Sequence, residues 1–283
     1  METLLSGESR LKLRISPLQN INLESLVERL KNDVQGKWHI DARPGNDGGA
    51  GNTLEDLLGV EENNLQLPDF GDIELKTHRK ESQSLITLFH KEPLPAASTP
   101  LLLESVGWPH SEAGKKYPKN EKSFRSTTRA NKYTDRGFTV KLEEERVVFT
   151  FEPSKVSKNT PDRTGGHATY GDWLIDVEQR SPHYSQVLPV HWKSSDLEGR
   201  IRSKLEQTLY VTHRARKKDG VRSFLYESAT LFSGFIPSQI DRLFNAGGLY
   251  IDFDARTGHN HGTKLRVDLR SIRELFTDVV EIF

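Results

Sequence analysis

Apolar residues recur with helical spacing in several parts of the chain. Between Leu23 and Val34 they lie three or four residues apart, which predicts an amphipathic helix over residues 23–35. A glycine-rich stretch at 43–52 predicts a loop, and the segment 53–59 after it predicts a short helix closed by a glycine. Further helices are predicted at 195–209, 238–245 and 271–283.

Other segments alternate between apolar and polar residues, which is typical of strands with one buried face. Strands are predicted at 69–77, 84–90, 137–142, 146–151, 249–254 and 264–269. The stretch 92–131 is rich in Pro, Ser, Lys and Gly, and it is predicted to form loops over an exposed surface. Helices and strands in this order predict a mixed α/β fold, with a central sheet flanked by helices.

Composition narrows the class of protein. A chain of 283 residues is long enough for one large domain or two lobes with a sizeable core. The absence of cysteine excludes a disulfide framework and any thiolate metal site or nucleophile. No apolar run approaches the roughly 20 residues of a membrane helix, and no secretory signal is recognisable at the N-terminus. The protein is therefore expected to be soluble and cytoplasmic, with no membrane partner.

Charge is balanced overall but not locally. The chain has 40 basic and 40 acidic residues, which argues against a protein that coats nucleic acid through bulk charge. Two segments, 115–141 and 193–222, are nevertheless rich in Lys and Arg. Basic segments within a neutral protein indicate a cleft that faces a polyanion, although a solvated basic surface explains either segment equally well.

The clearest chemical signal lies between Pro68 and Lys76. On a strand Glu74 and Lys76 share one side, and Asp69 at the turn before the strand can fold towards them. Two carboxylates with intervening water suit Mg²⁺, and a metal-bound water is a nucleophile for a phosphodiester. The alternative is a surface hairpin with an ion pair, because so short a pattern also occurs by chance.

The order of these residues matches the PD-(D/E)XK nuclease pattern, and its surroundings add to the match. The segments 51–59, 68–70 and 73–77, followed by Thr87-Leu88-Phe89 and Glu92-Pro93, strongly resemble the MvaI/BcnI restriction endonuclease family, a relative of the repair nickase MutH. The resemblance implies a restriction-endonuclease-like sheet and two lobes around a DNA cleft. We expect a catalytic lobe at 1–100 and a DNA-recognition lobe at 101–283, with the two lobes intertwined. The resemblance also assigns Glu55 as a further acid at the metal site.

The segment 252–266 resembles the DNA-recognition segment of the same family. Its side chains can bond to base edges or phosphates, and His90 on the predicted second strand is included by resemblance. The predicted DNA-binding residues are His90, Asp254, Arg256, His259, Asn260, His261, Thr263, Lys264 and Arg266. Two alternatives remain for this segment: a zinc site built from His259, His261 and Asp254, or a plain surface hairpin.

The resemblance implies a type II, site-specific deoxyribonuclease that acts on double-stranded DNA. Mg²⁺ is the expected cofactor, with Mn²⁺ as a substitute, bound by Asp69, Glu74 and Glu55 while Lys76 positions the attacking water. The enzyme is expected to be a monomer and, as a conventional restriction enzyme, to work with a cognate DNA methyltransferase. Three responses to cytosine methylation stay open, since methylated cytosine can be avoided, ignored or required. The alternatives are a MutH-like nickase that needs an activating partner, a non-catalytic DNA-binding protein, and a structural or protein-interaction module.

Overall fold

A computed structural model describes residues 17–45, 48–60, 68–69, 71–181 and 190–283. Residues 46–47 of the predicted glycine-rich loop and residue 70 of the first predicted strand lie outside this part of the chain. The helices of the described residues are α1 (Pro17–Arg29), which continues as a π-helical turn over Leu30–Val34, α2 (Gly49–Leu58), α3 (Ser98–Val106), α4 (Tyr170–Arg180), α5 (Ser194–Leu205) and α6 (Gln239–Ala246).

The described strands form three sheets, which confirms a mixed α/β fold. The strands are β1 (Trp38–Ile40), β2 (Ile73–Arg79), β3 (Ile86–His90), β4 (Trp108–Pro109), β5 (Lys122–Arg129), β6 (Arg136–Glu143), β7 (Arg146–Val156), β8 (Val190–Lys193), β9 (Gln207–Lys218), β10 (Val221–Phe235), β11 (Leu249–Arg256), β12 (His259–Asn260), β13 (Lys264–Val267) and β14 (Phe276–Glu281).

The first sheet has the order β1-β10-β9-β2, with β14 paired to β10. Strand β2 runs parallel to β9, so that Glu74 lies opposite Thr208 and Lys76 opposite Tyr210. Helices α1 and α2 cover this sheet and share a core with it that includes Leu26, Leu54 and Leu209. Burying such side chains stabilises the fold by about 2 kcal/mol each.

The second sheet has the order β3-β13-β11-β5-β4, and β12 pairs with β11. Strand β11 alternates strictly: Leu249, Ile251, Phe253 and Ala255 are buried, while the residues between them form a polar face. A third sheet, β6-β7-β8, packs with the second around a larger core. At its centre the rings of Phe124, Phe138, Phe149 and Phe253 pack at centroid distances of 5.0–6.1 Å.

Two predictions of secondary structure are wrong, and a third is wrong in part, because α2 begins at Gly49 within the predicted loop 43–52. The final segment is a 3₁₀ helix at Ser271–Leu275 followed by β14, because β-branched residues such as Val279 and Val280 pair with β10 instead of forming a helix. The stretch 92–131 contains α3, β4 and β5 rather than loops alone. Strand β5 buries small hydroxyl side chains such as Thr128, so its inward face carries little apolar signal.

Each of the two larger sheets takes strands from both sides of residue 100. The first sheet combines β1 and β2 with β9, β10 and β14, and the second combines β3 with β4, β5, β11 and β13. The division into lobes at residue 100 therefore stays a prediction about function. No helix among the described residues is both long enough and apolar enough to cross a membrane.

Candidate active site and DNA interface

Strand β2 places the two central side chains of the motif together. Ile73 and Leu75 belong to the core below the sheet, and the alternation of a strand puts Glu74 and Lys76 on its other side. The ammonium group of Lys76 contacts Glu74 Oε1. The spacing of two residues thus produces the contact that the sequence predicts.

Glu74 is a buried carboxylate with an incomplete set of partners. Its side chain is 1% exposed, and Oε1 contacts Lys76 and also Lys204 Nζ at 3.3 Å. Its second oxygen, Oε2, is buried without a hydrogen-bond partner. Burial raises the pKa of Glu74 above its ordinary value and the neighbouring Asp69 adds to the rise, whereas Lys76 and Lys204 oppose it.

Asp69 folds back onto the strand that follows it. Its Oδ2 accepts a hydrogen bond of 2.9 Å from the backbone N–H of Leu75, which holds the carboxylate beside β2. Glu55 comes from α2, and it lines the same cavity of about 650 Å³ as Asp69, Glu74 and Lys76. The structure therefore brings all four predicted catalytic residues to one cavity.

These carboxylates fit a hard divalent cation. A cation satisfies a buried carboxylate oxygen that lacks a donor, and it removes the repulsion between Asp69 and Glu74. Within the described ranges, no three His, Asp or Glu side chains are already gathered as a metal cluster. Asp69 and Glu74 are thus the two protein ligands that the geometry offers, and Glu55 is a third acid on the cavity wall.

Lys204 was not predicted from the sequence. It lies on α5 together with Arg200, and both side chains line the cavity of the catalytic residues. The available signal was their spacing of four residues on a predicted helix, which places them on one face. What the sequence did not reveal is that α5 leads into β9, the parallel neighbour of β2.

The polar face of β11 carries an ion-pair network. Asp254 contacts Arg125 Nε of β5 at 3.0 Å and Lys264 Nζ of β13 at 3.1 Å. Burial acts to raise the pKa of Asp254, but the hydrogen bond from Lys264 and the nearby cations hold it below its ordinary value. Arg125 was missed because β5 was predicted as a loop.

Arg266 and Arg256 are also engaged within the chain. Arg266 donates to Asp252 at 2.9 Å and to the carbonyl of Leu85 at 2.7 Å. Arg256 donates to the buried Glu121 at 2.9 Å, and its guanidinium lies 4.6 Å from the centroid of the Tyr117 ring. Both predicted DNA-binding arginines therefore lie on the second sheet with defined intramolecular partners.

Glu92 organises the loop between β11 and β13. It accepts hydrogen bonds from Asn260 Nδ2 at 3.1 Å and from the backbone N–H of Thr263 at 2.7 Å. The rings of His259 and His261 meet edge to face at 4.2 Å and both residues are exposed. Thr263 is buried, and its backbone carbonyl accepts a hydrogen bond of 2.8 Å from the N–H of Lys91.

His90 lies where the two predicted regions meet. It is paired in register with Lys264, and its side chain lines the cavity of the catalytic residues. Partial burial lowers the pKa of His90, and the ammonium groups of Lys264 and Lys76 lower it further. The zinc alternative would need Asp254 as a ligand, but the carboxylate of Asp254 is already paired with Arg125 and Lys264.

Comparison with known proteins agrees with the fold. A structure titled "Restriction endonuclease MvaI-cognate DNA substrate complex" is similar to the chain, with a TM-score of 0.70, 23% identity, and coverage of 95% of this chain and 100% of the other. MvaI in the absence of DNA matches with a TM-score of 0.49 and 23% identity over 96% of this chain and 100% of the other. The first of these shows a shared fold.

No curated protein matches the sequence. The family model of the MvaI/BcnI restriction endonuclease family matches residues 27–276, which is most of the chain, and this confirms the resemblance seen in the sequence. The chain therefore belongs to the MvaI/BcnI restriction endonuclease family, a family of DNA endonucleases.

Proposed function

We propose that the protein is a Mg²⁺-dependent type II restriction endonuclease that hydrolyses phosphodiester bonds of double-stranded DNA at a specific sequence. The observation that carries the proposal is the buried Glu74, whose Oε2 lacks a partner beside Asp69 and Lys76. In a member of a DNA endonuclease family, such a group is best explained as a metal ligand.

Each residue has a distinct role in this proposal. Asp69 and Glu74 hold the Mg²⁺, which Mn²⁺ can replace, and Glu55, which lines the same cavity, assists. A divalent cation bound there supplies Lewis-acid chemistry at a phosphate and lowers the pKa of a bound water. Lys76, anchored by its contact with Glu74, orients the attacking water and offsets the negative charge that develops on the phosphate.

We further assign sequence recognition to the second sheet and the loop beside it. The proposed DNA contacts are His90, Asp254, Arg256, His259, Asn260, His261, Thr263, Lys264 and Arg266. Support comes from their position on or beside one polar sheet face that continues to the catalytic cavity at His90. In functional terms, residues 1–100 form a catalytic lobe and 101–283 a recognition lobe, with DNA between them.

The setting of the enzyme follows from the same proposal. It acts in the cytoplasm as a monomer, its cleavage responds to cytosine methylation, and a cognate DNA methyltransferase belongs to the same restriction system. A methyl group at C5 of cytosine lies in the major groove, where base edges are read, so side chains that contact the base can sense it.

The test is incubation of the purified protein with unmethylated and cytosine-methylated plasmid, in Mg²⁺ or in EDTA, followed by sequencing of fragment ends. Discrete fragments in Mg²⁺ alone would support the proposal and reveal both the recognised sequence and the methylation rule. Turnover of plasmid by the protein alone would count against a MutH-like nickase, because that alternative needs an activating partner. No cleavage of either plasmid would favour a partner-activated nickase or a non-catalytic DNA-binding protein.

A further inference from the structure

Helix α5 separates a buried apolar face from an open polar face. Leu197, Ile201 and Leu205 are at most 1% exposed and anchor the helix in the larger core. The opposite face contains small and charged residues at helical spacing: Asp196, Gly199, Arg200, Ser203 and Lys204. The polar face makes ion pairs as well, of Lys204 with Glu74 at 3.3 Å and of Asp196 with Lys91 at 3.6 Å, while Gly199 and Ser203 between them are exposed.

This polar face borders two adjoining cavities. One is the catalytic cavity, which Arg200 and Lys204 line. The other, of about 780 Å³, is lined by Gly199, Arg200 and Ser203 on one side and by residues of the 259–263 loop, such as His261, on the other. Arg200 and His90 line both cavities, so a continuous groove runs along α5 from the catalytic residues to the predicted recognition loop.

Helix α5 offers a sugar–phosphate backbone two cations and a hydroxyl, from Arg200, Lys204 and Ser203, although Glu92 and Asp196 also line the second cavity. On the second sheet, Arg125 and Lys264 share Asp254, which reduces their net charge. On α5, Lys204 projects towards Glu74 and Arg200 lies one turn earlier. A Cβ atom added at Gly199 would meet no atom within 4 Å, so the α5 side of the second cavity is open.

We propose that the polar face of α5 is the surface along which the backbone of one DNA strand lies between the catalytic residues and the 259–263 loop. Arg200, Ser203 and Lys204 contact its phosphates. From Asp196 to Lys204 the face extends over about 12 Å of helix, which matches about three base steps of DNA. The inference rests on the proposed function, since it identifies how the substrate of that site is held.

The test measures DNA binding in EDTA, where no cleavage takes place, by fluorescence anisotropy over a range of salt concentrations. Each lost phosphate contact should reduce the slope of log K against log salt by about 0.9. We expect this reduction for Arg200→Ala and for Lys204→Ala, on the recognised duplex and on unrelated duplexes alike. The matched control is Arg202→Ala, because Arg202 is exposed on the same helix but lies over the ring of Phe235.

A second pair of variants leaves every native side chain on the helix in place. Gly199→Glu and Gly199→Gln both add a better helix former at an open position, so both should fold. Only the glutamate repels a phosphate. We expect Gly199→Glu to bind DNA about fivefold more weakly than Gly199→Gln at low salt, with the difference shrinking at high salt.

The outcomes separate this inference from the proposed function. The inference would be overturned, even if the wild-type protein cleaves DNA, by either of two results. One is an unchanged salt slope for Arg200→Ala and Lys204→Ala, and the other is an equal reduction of the slope for Arg202→Ala. If the wild-type protein does not cleave in Mg²⁺ but the predicted slopes are found, the α5 surface is supported and the endonuclease proposal fails instead.

Discussion

Lys204 Nζ of α5 lies 3.3 Å from Glu74 Oε1 of β2. Together with Lys76 it gives one oxygen of the carboxylate two ammonium partners, while the other oxygen is buried with none. The contact ties the helix of the proposed DNA-backbone surface to the strand of the proposed catalytic site. The two lysines therefore compensate the charge of Glu74 at Oε1 only.

Replacing Glu74 should remove the response of the protein to Mg²⁺. A ligand that binds only the folded state at one hundred times its Kd stabilises it by about 2.7 kcal/mol. We expect Mg²⁺ to raise the Tm of the wild-type protein and of Glu81→Gln, whose side chain is exposed, but not of Glu74→Gln. Differential scanning calorimetry with and without EDTA measures this, and an equal rise in all three proteins would argue against Glu74 as a ligand.

The contact between Arg256 and Glu121 should stabilise the free protein. Glu121 is 4% exposed, so Arg256→Ala leaves a buried carboxylate without its charged donor. We expect a loss of about 2 kcal/mol in the free energy of unfolding, measured by urea denaturation. Adding Glu121→Gln should recover part of the loss. If the effects of the two substitutions are simply additive, the pair makes no net contribution.

Acid should destabilise the protein through His213. Burial, followed by the neighbouring His78 and Arg79, lowers the pKa of His213 from 6.5 to about 4. The neutral imidazole therefore favours the folded state above pH 6.5, and this contribution is lost as the pH falls towards 4. Between pH 6.5 and pH 4, we expect the free energy of unfolding of the wild-type protein to fall by about 3 kcal/mol more than that of His213→Gln.

Denaturation curves from pH 7 to pH 4 provide the comparison for His213. The control is His259→Gln, because His259 is exposed. Its acid dependence should follow that of the wild-type protein. Parallel curves for the wild-type protein and His213→Gln would show that His213 does not titrate as its burial predicts.

Arg136 and Asp162 form a buried pair far from the catalytic cavity. Arg136 Nη2 donates to both oxygens of Asp162 at 2.9 Å, and the guanidinium lies 4.0 Å from the centroid of Trp108 and 5.0 Å from that of Trp173. Asp162→Ala would leave this charge buried without its carboxylate. We expect the free energy of unfolding to fall by about 3–5 kcal/mol, which is typical when one partner of a buried ion pair is removed.

The exposed Asp241 offers the matched control for Asp162. Asp241→Ala should change the free energy of unfolding by about 0.5 kcal/mol or less, as is usual for surface substitutions. A loss for Asp162→Ala that is no larger than this would mean that Arg136 is solvated or finds another partner.

The parts of the fold that could be predicted are those with a complete local signal. Strand β11 alternates between buried and polar residues over its whole length. Helix α6 is capped by Gly247, whose φ of 75° lies in the left-handed region that favours glycine. Strand β14 was missed because its partner, β10, is distant in sequence, and pairing with it decides between strand and helix. Tertiary pairing of this kind overrides local preference.

The candidate site shows the same limit. Glu74 and Lys76 could be placed together because a strand brings residues two apart to one side. The position of Lys204 depends on the parallel pairing of β2 with β9, and that pairing leaves no mark on the local pattern of either strand. Arg125 depends in turn on recognising a strand whose inward face is made partly of serine and threonine.

The most direct test of the account is the cleavage of DNA by Lys76→Ala under single-turnover conditions in Mg²⁺. Lys80→Ala is the matched control, because Lys80 follows β2, is well exposed and pairs with Glu227. We expect Lys76→Ala to bind DNA in EDTA as tightly as the wild-type protein but not to cleave it, whereas Lys80→Ala should cleave normally. Cleavage at the wild-type rate by a folded Lys76→Ala protein would contradict the proposed catalytic site.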